Sequence, residues 1–132
     1  MATLIDSSVL IAAERGAADL KQLLSTHDDE IVLSSITASE LLHGVYRAGN
    51  PEVRKRREGL VEQLLETFTV IPFDLDVARM HARVWAQLAS RGITVGAHDL
   101  LIGASALAAG ASVATSDLRS FPRIPGLKIL RW

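Results

Sequence analysis

The sequence predicts an α/β fold with a mainly parallel central sheet, read as three α/β/α layers. Two observations carry that prediction. Short apolar runs alternate with longer stretches of helical periodicity, the order that strand–helix–strand crossovers produce. Glycine and proline punctuate the junctions, as at Gly49-Asn50-Pro51, Gly92, Gly110 and Pro125-Gly126. A third observation gives the fold a direction. Four acids, Asp6, Glu40, Asp99 and Asp117, each stand where a helix should begin.

Taken in order, the apolar run at residues 2–5 reads as a buried strand. A short helix over 8–14 follows, and another over 17–25 past the break at Gly16. Residues 31–33 read as the second strand. A helix over 37–48 ends at the Gly49-Asn50-Pro51 stop signal. A long amphipathic helix over 52–67 carries Val53, Leu60, Val61, Leu64 and Leu65 as its apolar positions. A brief strand over 69–72 precedes a helix over 75–91, closed by Gly92. The helix over 98–109 is nearly free of charge and reads as buried. A strand over 112–115 and a last one over 127–130, after a proline-containing loop, complete the chain.

No internal repeat, linker or low-complexity segment divides these elements, and 132 residues make one domain, 1–132. A chain near this size buries roughly two-thirds of its unfolded surface. The 48% of hydrophobic residues supply a core, and the 22% of charged residues are too few for disorder. The chain has no cysteine, which excludes disulfides and cysteine-ligated zinc. The first six residues lack a basic region and reach Asp6 too early to read as a signal peptide. No apolar run approaches the ~20 residues that span a bilayer. The net charge is −1, but setting the four acids aside leaves a positive balance. A nucleic-acid substrate is therefore compatible with the near-neutral total.

Right-handed crossovers turn the alternation into geometry. Each crossover helix runs antiparallel to the strands, so its N-terminus lies at their carboxyl edge, where open α/β sheets bind ligands. Asp6 and Asp117 follow strands, and Glu40 and Asp99 stand early in helices. Connectivity thus brings all four to one edge. Carboxylates gathered there repel one another unless a cation joins them, and hard oxygen ligands suit Mg2+ or Mn2+. Such an ion can serve phosphodiester chemistry.

Each acid also has a purely structural reading. Acids at helix N-termini accept free backbone N–H groups. Thr37-Ala38-Ser39-Glu40 satisfies the capping-box pattern, so Glu40 reads equally as cap and as ligand. Asp6 lies between apolar segments, where an unpaired carboxylate would be costly. The four histidines, His27, His43, His81 and His98, show no paired or metal-like spacing, although His98 adjoins Asp99.

Four stretches resemble the motifs of PIN-domain ribonucleases, and among these the VapC toxins of type II toxin–antitoxin pairs. They are Leu4-Ile5-Asp6-Ser7-Ser8-Val9-Leu10-Ile11, Ile36-Thr37-Ala38-Ser39-Glu40-Leu41-Leu42-His43-Gly44, His98-Asp99-Leu100-Leu101-Ile102-Gly103-Ala104 and Thr115-Ser116-Asp117. The segment Phe121-Pro122-Arg123-Ile124-Pro125-Gly126-Leu127 is similar too, so the likeness spans nearly the whole chain. It implies a single PIN-like domain. It also implies Asp6, Glu40 and Asp99 as central catalytic and metal-binding acids for Mg2+ or Mn2+. Asp117 is the fourth, because Ser120 stands where relatives place an acid before the loop phenylalanine. Ser8 and Thr115 match hydroxyls that orient the acids; capping or turn bonding is their structural alternative.

The implied activity is endoribonuclease cleavage by activated water, leaving 5′-phosphate and 3′-hydroxyl ends. The implied partners are an RNA substrate, a VapB-like antitoxin and a second copy in a homodimer, with no membrane. The implied setting is the cytoplasm of a bacterium or archaeon, though nothing in the sequence bars secretion. Arg119 and Arg123, beside Asp117, are candidates for phosphate contact. The basic run Arg54-Lys55-Arg56-Arg57 reads rather as a solvated face balanced by Glu52, Glu58 and Glu62. Aromatic residues make up only 5% of the chain, too few for an extensive stacking platform. An antitoxin segment is expected on the stripe Leu41, Leu42, Val45 and Tyr46, whose bland reading is core.

Three other readings compete. A haloacid-dehalogenase-like phosphatase needs a second acid two residues after Asp6, where Ser8 stands. A receiver domain needs a late-strand lysine, and Lys128 is the sole late candidate. A catalytically silent PIN fold would serve as a binding module, against which the full acid set argues.

Overall fold

The computed structural model describes residues 1–16 and 19–132. Five strands form one sheet, β1 (Ala2–Ile5), β2 (Glu30–Ser34), β3 (Thr69–Ile71), β4 (Ser112–Thr115) and β5 (Ile129–Arg131). Their order is β3-β2-β1-β4-β5 and every pairing is parallel. The chain starts in the middle of the sheet and winds outward in both directions. β1 and β4 are thereby neighbours, with Ile5 opposite Ala114. That pairing brings Asp6, the residue after β1, beside the end of β4 at the carboxyl edge.

Among the described residues, six helices cover the sheet: α1 (Ser7–Glu14), α2 (Leu20–Ser25), α3 (Ser35–Arg47), α4 (Pro51–Thr67), α5 (Leu75–Ser90) and α6 (Ala97–Ala109). Side chains alternate along each strand, so successive residues serve opposite faces. Leu4, Val32 and Val113 pack with Val84 and Leu88 of α5, Leu100, Ile102 and Ala106 of α6, and Phe121. Ile5, Leu33 and Ala114 face the other way, onto Val9 and Leu10 of α1, with Leu41 of α3 and Leu64 and Leu65 of α4 against them. The result is the expected α/β/α sandwich.

Three expectations are refined. The helix expected over 17–25 begins, in its described part, at Leu20, with Asp19 accepting from Gln22 N at 3.2 Å; residues 17 and 18 lie outside the described residues. α3 starts at Ser35, because Ser34 at the end of β2 is its cap, accepting from Thr37 N at 2.9 Å. The last strand begins at Ile129, since residues 124–128 are taken up by the turn that brings the chain onto α6.

That turn depends on one glycine. A Cβ on Gly103 would stand 2.5 Å from Ile124 Cδ1 and 3.5 Å from Leu127 Cδ2. The missing side chain lets the 3-10 turn Phe121–Arg123 and Ile124 lie directly on α6, with Phe121 0% and Ile124 3% exposed. The loop bearing Asp117 and Ser120 is thus held beside the start of α6.

Candidate active site

Asp6 follows β1 and caps α1, its backbone N–H donating to Ala114 O at 2.9 Å. It is 4% exposed. Thr115, fully buried at the end of β4, donates its hydroxyl to Asp6 Oδ2 at 3.1 Å. Ser8 Oγ donates to the same oxygen at 2.7 Å, and the Ser8 backbone N–H approaches it at 3.4 Å. The two hydroxyls stand 3.2 Å apart, and Ser116 N donates to Ser8 Oγ at 3.2 Å. Asp6 Oδ2 is therefore fixed, while no donor among the described residues reaches Oδ1. Ser8 and Thr115, the two hydroxyl residues singled out in the sequence, are both bonded to this acid.

Glu40 lies in the second turn of α3, not the first. The capping box fails because Ser34, rather than Thr37, caps the helix. The carboxylate instead accepts from Ser7 Oγ at 3.2 Å on Oε1 and lies 3.5 Å from His98 Nδ1 on Oε2. Burial raises its pKa above the ordinary value, and the Asp6 charge adds to the rise; His98 and Ser7 oppose it.

Asp99 stands in the first turn of α6, as expected, where the cap residue Gly96 offers no side chain. Burial raises its pKa as well, the Ser120 hydroxyl opposes the rise, and the charges of Asp6 and Asp117 reinforce it. Asp117 differs from expectation in one respect: no helix begins there. It occupies a tight turn after β4, its N–H donating to Thr115 Oγ1 at 2.9 Å and its Oδ1 accepting from Arg119 N at 3.0 Å. Asp99 thus lies in the field of both Asp6 and Asp117, and Glu40 in that of Asp6. Among the described residues, no three acidic or histidine side chains converge into a ready-made metal cage.

The outlying expectations divide. Arg119 is almost fully exposed, its Nε 3.5 Å from Asp117 Oδ1. Arg123 donates to Thr94 O at 3.0 Å. On the proposed partner stripe Tyr46 is 76% exposed, Leu42 is half-buried and half-buried Leu41 packs toward the core. Val45, 2% exposed, is a core residue and offers no surface, because α3 turns that side inward. The basic run is not balanced as expected either: Arg57 Nε pairs with Glu14 Oε1 at 2.7 Å, across to α1. Sequence reasoning missed Ser7 and Ser120. The signal for Ser7 was its adjacency to Asp6; nothing in the sequence ties it to Glu40.

A family model described as PIN domain matches residues 3–127. Ribonuclease VapC1 of Rickettsia felis is 37% identical over 130 residues, covering 98% of this chain and 96% of that protein. The chain belongs to the VapC family of PIN-domain proteins. A second VapC relative, the tRNA(fMet)-specific endonuclease of Salmonella typhimurium, is 32% identical and is covered to 83%, against 86% of this chain. Among solved structures, the chain is similar to DNA-bound VapBC from Salmonella typhimurium, with a TM-score of 0.89 and 28% identity over 100% of this chain and 98% of that one. VapBC2 of Rickettsia felis bound to a promoter DNA fragment gives 0.86 and 25%, with 100% and 99% coverage. The fold is what the chain shares with these structures over its whole length.

Proposed function

We propose that this VapC-family chain is a metal-dependent endoribonuclease, the toxin of a toxin–antitoxin pair, acting in the cytoplasm as a homodimer. The observation that carries this reading is the set of carboxylates from four separate elements at one sheet edge. Two of them, Glu40 and Asp99, have proton affinities raised by burial and by the neighbouring charge of Asp6.

The donor set fits Mg2+ or Mn2+. All donors are hard oxygens, Asp6 keeps one oxygen without a partner among the described residues, and mutual repulsion among the acids is what a cation relieves. Mg2+ usually retains several waters and needs only one or two carboxylates, so a loose protein cage does not count against it. Asp6, Glu40 and Asp99 would hold it, with Asp117 nearby. When bound, such an ion acidifies water and neutralises charge on the phosphoryl group.

The remaining work falls to the side chains. Ser8 and Thr115 fix Asp6 in one rotamer, so its free oxygen faces the reaction without reorganising. Ser7 and His98 hold Glu40 from opposite sides. A carboxylate at this edge is a fitting acceptor for the proton that water loses in attacking phosphorus. No 2′-hydroxyl is required, which suits the absence of a paired-histidine site among the described residues.

The partner reading rests on the similar solved structures, which are VapBC complexes. An antitoxin segment would use Tyr46 and Leu42, the exposed side of α3. The nuclease reading is tested by incubating purified protein with total RNA, with and without Mg2+ or Mn2+, and analysing end groups. Cation-dependent cuts with 5′-phosphates that vanish in Asp6→Asn support it; cuts that persist with a chelator in the folded variant defeat it.

A further inference from the structure

A cleft of about 500 Å³ opens beside the carboxylates, lined by Ser7, Glu40, His43, Arg47 and His98, with Ile11 of α1 as its other wall. A second hollow continues it along α3, sharing Ile11, Glu40, His43 and Arg47 and adding Arg15 at the end of α1. Glu40 and Arg47 are seven residues apart, two helical turns or about 10 Å along one face. The cleft therefore leads from an acidic end to a basic one.

Of the basic run on α4, Arg54 and Arg57 are committed to partners, and Lys55 and Arg56 are exposed and do not line the cleft. Arg54 donates to Ala48 O at 2.7 Å, and Arg57 joins Glu14 and donates to Gly44 O at 3.5 Å. That ion pair also neutralises Glu14, which together with Glu40 makes up the acids of the cleft wall. Arg47 and Arg15 are different. Both are exposed, and neither side chain makes an ion pair or hydrogen bond among the described residues. Two uncommitted guanidinium groups and an imidazole thus face a channel that ends at the acids. Guanidinium groups suit phosphate oxygens, whereas the acids alone would repel them.

We propose that the cleft between α1 and α3 is a track for the sugar–phosphate backbone of an unpaired RNA strand. Arg47 grips a phosphate flanking the scissile one, with His43 beside it and Arg15 at the far end. The track rests on the nuclease reading and deepens it. It assigns the direction in which substrate leaves the acids, along α3 rather than over the loop of Arg119 and Arg123.

The test uses Asp6→Asn full-length protein, in which cleavage is expected to be blocked so that binding alone is read. Anisotropy of a fluorescent oligouridylate is followed across a salt series. Arg47→Ala is expected to weaken binding several-fold and to lower the slope of log K against log salt by roughly 0.7, the loss of one single-strand phosphate contact. Arg47→Lys should recover the slope. Arg56→Ala, exposed on α4 and outside the cleft, should match the parent. Circular dichroism confirms each fold. Parental affinity and slope in Arg47→Ala, an equal loss in Arg56→Ala, or no salt-dependent binding at all would overturn the track. So would an Arg47→Ala protein that binds RNA normally but loses affinity for a protein partner, since the cleft would then belong to that partner. Cleavage of total RNA by the wild type is run in parallel. Its failure would sink the nuclease reading alone, while the binding series still judges the track.

Discussion

Asp6 and Glu40 are both carboxylates at the same sheet edge, yet the chain treats them differently. Asp6 sits at a strand end, 4% exposed, with two hydroxyls and a backbone N–H on one oxygen. Glu40 rides on a helix, half-buried, touched by one serine and one histidine at 3.2 and 3.5 Å. A strand end in a parallel sheet is fixed by ladders on both sides, so it can position a group before any ligand arrives. A longer side chain on a helix keeps rotamer freedom, and its charge is set by burial and neighbours. Asp6 is built as the fixed point of the site and Glu40 as its responsive member.

The largest expected effect breaks the fixed point. Asp6→Asn keeps the shape and removes the charge. Cleavage should fall about a thousandfold or more, the equivalent of several kcal/mol of lost charge stabilisation. Single-turnover cleavage on folded protein measures it, and residual activity within tenfold of wild type contradicts the assignment. Asp99→Asn should behave alike.

Glu40→Gln tests the responsive member. Because Ser34 caps α3, Glu40 contributes nothing to helix initiation. Cleavage should collapse while the melting temperature stays within a degree or two, or rises. A loss of stability that parallels the loss of cleavage would mean a structural role.

Thr115→Val removes the support and leaves the acid. The variant loses one donor to Asp6 Oδ2 and the acceptor of Asp117 N. Outer-shell losses of this kind cost roughly 10–100-fold in cation affinity or activity. Stability should drop by about 1 kcal/mol, as for one buried hydrogen bond. Titrating cleavage against Mg2+ separates the two, because raised cation should recover much of the rate only if positioning was lost.

The smallest effect sharpens the comparison through pH. The pKa values of Glu40 and Asp99 are raised in the folded protein above the ordinary 4.5 and 3.8. The folded state then binds more protons than the unfolded one within that window, so stability falls as pH rises through it. In chelator, urea midpoints should decline from about pH 4 upward more steeply in the wild type than in Glu40→Gln. Divalent cation should flatten the decline. A midpoint that rises through the window in both proteins would show that these carboxylates are not under strain.

Much of this arrangement was legible because it follows from local pattern and chain direction. The strand at 2–5 is followed by an acid, the strand at 112–115 ends in a hydroxyl, and the apolar helix α6 carries Asp99 in its first turn. Those features fix three members of the edge before any contact is known. The start of α3 was misread because two hydroxyl residues, Ser34 and Thr37, compete for the cap, and only the closed helix decides between them. The partners of Glu40 and Arg57 were out of reach, since Ser7 and Glu14 come from another helix. Val45 was assigned outward for a similar reason: a helical stripe says which residues share a side, not which way that side turns.

The close approach at Gly103 has a consequence for how the site tolerates change. Asp117 sits on a segment with no strand partner of its own, and its address is set by how deeply Phe121 and Ile124 seat on α6. A missing side chain on one helix therefore acts as a spacer of zero thickness for an acid much further along the chain. Thickening it, even by a methyl group, would press on the tip of the Ile124 side chain, and the seat of the loop would then rest on how that tip turns aside. The charge pattern of the edge is in this sense calibrated by a residue that carries no chemistry.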